Sequence, residues 1–538
     1  MIWFVRDFDL LSLLLRALSF ALEALAFGGV FFLLFSARPA GLDSDAQSQL
    51  RRIAAGFAVG LAITQIALMA TTSAMLAGNG SGMGMRDVVS AAFFVSGVIF
   101  TLAALALALL LRLTSKLSLA LLAVVIALGA SVSLSHAASR MDHRPLLLIF
   151  TAGHHLGMAA WLGALPFLLI ALRLGGDAEV SRRMARQFST MALISVGILV
   201  LAGAGLSWFY AGSWQGMYGT SYGLLLSAKI VLTALMLTLG AGNFFVLRRV
   251  ENSPTSLLFR LRRFSEAEIG LGFTVILAAA SLTAQSPSVD EMPQDMLIGH
   301  QVVERMAWRW PSFRTPSVAQ LAPPTPLSTA VREATYTGGS VSDANDRAWS
   351  EYNHHWAGLI VLGAGLLAMV SRLPRQRWAR YWPLLFLGLS IFLLLRADPE
   401  CWPLGPRPFW ASFAAPDVLE HRLYALLIAV FAGFECGVET GCLRWPRALF
   451  VFPVLCAAGG ALLLTHTHGV SEGTDEVFAE LSHTPIAVLG AMAGWGRWLE
   501  LRLDGSDTPV QESRRIAAWV WPVCLILIGI LLLNYREA

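Results

Sequence analysis

Residues 88–136 read VVSAAFFVSGVIFTLAALALALLLRLTSKLSLALLAVVIALGASVSLSH. Two apolar runs, 88–111 and 117–136, flank a short connection that holds the only charges in the stretch, Arg112 and Lys116. About 20 apolar residues in a helix cross the roughly 30 Å of bilayer hydrocarbon. In lipid the backbone must satisfy its own hydrogen bonds, which a helix does within a single segment. The stretch therefore reads as two transmembrane helices joined by a basic turn.

The same pattern recurs outward in both directions. Further apolar runs lie near 10–36, 53–77, 146–172, 188–211, 222–247 and 265–285, then near 354–371, 381–396, 418–437, 447–465, 483–499 and 515–534. The expected fold is all-α, a polytopic bundle of about fourteen transmembrane helices. Composition agrees: 56% of the 538 residues are hydrophobic and 14% are charged, against about 25% charged in a soluble protein. The run from Leu10 to Phe35 exceeds a signal-peptide core and is expected to be a retained helix. The formal charge of +4 is spread over loops and gives no footprint for nucleic acid.

Alternate connections differ in charge. One set carries 24 basic residues, from Arg38, Arg51 and Arg52 through Arg182, Arg183 and Arg186 to Arg497, Arg502, Arg514 and Arg515. The positive-inside rule makes that set cytoplasmic. Both termini are then expected to be periplasmic, in a bacterial inner membrane. The chain divides by pattern into an eight-helix front part, 1–285, a Pro- and Gly-containing periplasmic linker, 286–353, and a six-helix rear part, 354–538.

In this topology all eleven histidines fall near the outer side, in polar connections or close to helix ends. Imidazole ligates copper, zinc, iron and nickel, so the crowding predicts a metal entry or storage site. His154 and Met158 are four apart and share a helix face, a soft-leaning pair suited to Cu(I). The rear part is denser: His354 and His355 begin one helix, His421 another, His466 and His468 end a third, and Glu480 and His483 stand three apart on a fourth. Of the five cysteines only Cys401 is expected to be exposed on that side, with no CxxC pair. Glu23 and Lys229 lie inside apolar runs, where each needs a partner or a polar cavity; pairing with each other, lining an ion route and a purely structural salt bridge all account for them.

Two stretches resemble a known family. One is His154-His-Leu-Gly-Met-Ala-Ala-Trp161-Leu-Gly163, preceded by Leu134-Ser-His136. The other runs from Arg186-Gln-Phe-Ser189 to Tyr222-Gly223-Leu-Leu-Leu-Ser-Ala-Lys229, ending near Asn243. Over about 90–285 they are similar to the CopD family of copper resistance and copper transport membrane proteins. The resemblance implies copper ligand positions at His136 and His154, copper as Cu(I) or Cu(II), and a periplasmic copper-binding partner of the CopC type. His155 is additional to the family pattern, and Ser19 stands where family members often carry a first-helix histidine.

The expected function is copper binding at the periplasmic face followed by transport across the membrane, by a protein that is not an enzyme. No GxxxxGK[ST] motif is present to bind a nucleotide. Two alternatives stay open at this point: a haem b electron carrier using histidines from different helices, and a copper chaperone for oxidase assembly.

Overall fold

A computed structural model describes residues 8–78, 84–174, 177–249, 254–316, 341–413, 415–465, 474–503 and 508–537. Its long helices are α1 (Phe8–Phe32), α2 (Ser44–Gly78), α3 (Ala92–Leu113), α4 (Leu117–Ser133), α5 (Arg144–Met158), α6 (Ala178–Ala211), α7 (Ser221–Arg249) and α8 (Pro254–Leu282). There follow α9 (Val341–Val370), α10 (Pro383–Arg396), α11 (Pro416–Thr440), α12 (Val451–Leu463), α13 (Thr474–Arg502) and α14 (Thr508–Leu533). No strand occurs among the described residues. Among the described residues thirteen helical spans are long and apolar enough to cross a membrane, with α5, α10 and α12 continued by adjoining turns into Arg144–Leu174, Arg377–Arg396 and Pro446–Leu463. The remaining one, α4, is equally apolar but has 17 residues, at the short limit for a span. The all-helical, multi-pass reading is borne out.

Side chains such as Leu102, Leu109, Leu122, Ile126, Leu193 and Leu201 stand exposed on these helices. Apolar surface of this kind is what lipid covers. The chain forms two compact units: a front unit of 1–213 with 232–289, and a rear unit of 214–231 with 290–538, so that α7 is divided between them.

Small residues let the front helices touch backbone to backbone. After Met158, α5 passes through a π-turn, Ala159–Gly163, that contains Trp161 and Gly163 of the family-like motif. A Cβ on Gly163 would sit 1.9 Å from the Ala24 carbonyl oxygen, and one on Gly28 would sit 2.2 Å from the Gly163 carbonyl carbon. The crossing of α1 and α5 therefore requires both glycines, and it brings Glu23 alongside the last turn of α5. In the rear unit, Gly358 and Gly529 press α9 against α14, and Gly460 and Gly494 press α12 against α13. Trp382, Phe386, Phe431, Phe452 and Trp521 form the buried aromatic centre of that unit, with edge-on contacts such as Trp382–Phe452 at 5.4 Å between centroids.

Candidate metal-handling residues

In the front unit the adjacent histidines of α5 turn to different neighbours, because successive helical residues point about 100° apart. His155 faces α1 and α4. Its Nδ1 lies 2.8 Å from Glu23 Oε1, and Ser131 Oγ donates to Glu23 Oε2 at 2.8 Å. Glu23 is 1% exposed, so its charge is met by an imidazole and a hydroxyl deep among apolar helices. An imidazole whose Nδ1–H is fixed by a carboxylate presents Nε2 as its ligating nitrogen. Phe20 packs edge-on against the same ring.

His154 turns to α6, where its ring lies 3.5 Å from the position a Cβ would take on Gly203. Met158 is partly buried one turn further along. His136 opens the short helix His136–Ser139, and its Nε2 sits 2.9 Å from the Thr283 carbonyl, which Arg16 also reaches at 3.2 Å. Glu23 thus takes His155 as a hydrogen-bond partner, and Lys229 is half-buried on α7.

One polar pair of the front unit had no sequence signal. Asn243 of α7 donates to Glu268 of α8 at 2.7 Å, and both are buried, at 7% and 2% exposure. Glu268 occupies an ordinary-looking position in a helix whose start is rich in charge. Only its depth in the packed unit marks it.

In the rear unit the histidines gather around the C-terminal tail. His354 stacks on Tyr535, with ring centroids 3.7 Å apart, and stands edge-on to His483 at 6.0 Å. His354 Nδ1 donates to the Ser350 carbonyl at 2.8 Å and His483 Nδ1 to the Ala479 carbonyl at 2.8 Å. Each bond folds Nδ1 back onto its own helix. His355, by contrast, is consumed by the backbone: Nε2 meets the Tyr535 carbonyl at 3.0 Å and Nδ1 lies 3.1 Å from the Ser312 amide nitrogen. Glu480 accepts from Thr484 at 2.8 Å. His421 Nδ1 is 2.7 Å from Asp398. His466 and His468 lie outside the described residues. Among the described residues no three of His, Cys, Asp and Glu converge as a metal site; His354 and His483 approach each other as a pair.

The expectation that Cys401 is exposed is corrected. Cys401 is fully buried and Cys442 is the exposed thiol. The loop turns back on itself, with the Trp402 amide donating to the Arg407 carbonyl at 2.9 Å. Burial, aided by the Glu400 carboxylate, pushes the Cys401 thiol up to about 12, so it stays protonated and is a poor metal ligand.

Residues 182–282, which cover α6 to α8, match the family described as Copper resistance protein D, CopD. The CopD resemblance is borne out. The CopD region holds Lys229, Asn243 and Glu268 and contains no histidine. Copper transport protein CutJ of Bacillus subtilis (strain 168) is 23% identical over 296 residues, 52% of this chain and 53% of that protein. The match therefore spans about half the length of this curated relative. No solved structure matches the chain.

Proposed function

We propose that this protein is a bacterial inner-membrane copper carrier that takes copper at its periplasmic side and moves it across the bilayer, with both termini periplasmic. It acts as a transporter, and its copper is cargo. The CopD region and the thirteen span-length helices support a copper-related membrane protein. The observation that carries the proposed site is the His155–Glu23 pair. A buried carboxylate that fixes an imidazole tautomer is the usual support for a metal-ligating histidine, and Met158, three residues on, offers a soft second ligand on the same helix.

In this reading His136 and His154 receive the ion near the front-unit surface. His354 and His483, whose ring centroids lie 6.0 Å apart, are proposed as a separate rear pair of imidazole ligands. His421, Glu480, His466 and His468 are proposed to assist there, with a CopC-type protein as donor. His355 is given a structural part in this reading, since both of its ring nitrogens meet backbone groups.

Copper content of the purified protein and copper uptake by reconstituted vesicles test the reading. His155→Ala should lower both, and His354→Ala with His483→Ala should lower content separately. Unchanged copper in both sets would sink the site assignment. A Soret band in the visible spectrum would replace copper by haem.

A further inference from the structure

Close to the C-terminal ends of α11 and α13, five ionisable side chains of the rear unit are knitted together. Arg497 Nη2 donates to Glu435 Oε1 at 2.7 Å and to Glu439 Oε1 at 2.9 Å, and its Nη1 to Glu500 Oε2 at 2.9 Å. Arg372, just beyond α9, grips Glu500 through both Nη atoms at 2.8 and 2.9 Å. Trp521 of α14 donates to Glu500 at 2.7 Å. Three carboxyl groups thus share two guanidiniums, which leaves one negative charge in excess if all are ionised. An uncompensated charge in so dry a place is costly, and a carboxyl avoids the cost by binding a proton.

The three carboxyls are not equivalent. Glu500 accepts from two arginines and an indole, which stabilises its anion. Glu439 is 25% exposed on its side chain, so water serves it. Glu435 is 1% exposed, and its Oε2 is buried without any hydrogen-bond partner. Among the described residues its donor is the shared Arg497, on the other oxygen. The groups facing Glu435 are Glu439 on its own helix, Arg497 and Glu500 from α13, and the Cys456 thiol of α12, with Arg372 behind them on Glu500.

We propose that Glu435 carries a proton on Oε2, and that this network is a proton-binding site of the rear unit. The site stands whether or not the protein handles copper. Intramembrane carboxyl groups held beside fixed cations recur in the proton relays of pumps and transporters, and here the arginine pair holds the frame while one carboxyl loads and unloads.

Infrared difference spectroscopy on the full-length protein in lipid nanodiscs tests this directly. Wild type minus Glu435→Gln should show a carboxylic-acid C=O band that shifts in heavy water and disappears as the pH is raised. Glu435→Gln mimics the protonated form, so its melting temperature at neutral pH should match wild type, whereas Glu439→Gln should melt lower. A featureless difference spectrum overturns the proposal. So does a Glu435→Gln protein that fails to fold, or the reverse order of melting, because either shows that Glu435 must be charged.

Discussion

The two units differ in how they treat buried carboxyls. The front unit isolates its carboxyls: Glu23 meets one imidazole and one hydroxyl, and Glu268 meets one amide. The rear unit keeps Glu480 and Asp398 in local pairs but pools three further glutamates with two arginines, drawn from α11, α13 and the turn beyond α9. An isolated carboxyl is left free to govern a neighbour, here the tautomer of His155. A pooled network fixes helices relative to one another, and removing its central cation strands several charges at once.

Arg497→Gln should accordingly show the largest effect. Breaking a buried ion pair by deleting one partner costs about 3–5 kcal/mol. Thermal unfolding of the detergent-purified protein should register a large drop in melting temperature. A loss below about 1 kcal/mol, the scale of an exposed pair, would show that the network does not hold the rear unit together.

Glu23→Gln tests the front unit. The amide still offers hydrogen-bonding groups to Ser131 and His155, so the stability cost should stay near 1–3 kcal/mol. Copper affinity should fall more noticeably, by about 10–100-fold, as read by competition with a chelator of known affinity. If Glu23→Gln unfolds the protein as readily as Arg497→Gln, the contrast between the units fails. If it leaves copper affinity untouched, His155 is not a ligand.

His355→Ala comes next in size. His355 is 5% exposed and ties Tyr535 to Ser312 through its ring nitrogens. Its loss should cost about 1–2 kcal/mol and loosen residues 534–537, visible as faster amide exchange in that tail. Copper content should not change. A fall in copper equal to that of His354→Ala would restore His355 to the ligand set.

The sequence reveals helices far better than it reveals partners. Apolar length alone places thirteen span-length helices and the shorter α4, because a bilayer imposes a similar length on each crossing. Spacing along one helix also shows which residues share a face, and Gly163 in its Trp-x-Gly motif is where α1 and α5 cross. Partnership across helices has no such periodicity. Glu23 finds His155 over a separation of 132 residues and Arg497 finds Glu435 over 62, and neither distance is written in a local pattern. Adjacent histidines mislead for the same reason: His354 and His355 look like one feature in sequence, yet a helix sends one to a ring and the other to a carbonyl. Cys401 misleads because a polar loop suggests exposure, whereas this loop folds its thiol inward.

The smallest effect is expected at the front unit's surface. Arg140 and Asp142 pair at 3.2 Å, with the Asp142 side chain 61% exposed. The hydrogen bond from Arg140 holds the Asp142 carboxyl below the usual carboxylate range. A carboxyl lowered on folding stabilises the protein above its unfolded value, and that contribution disappears as the pH falls through the folded value. Asp142→Asn should therefore lower melting slightly at neutral pH, where the ionised carboxyl contributes, and match wild type once the pH has fallen below the folded value. Solvent screening makes even that difference slight. A melting-temperature drop at neutral pH comparable to that of Glu23→Gln would mean that burial is not what separates strong charge pairs from weak ones in this protein.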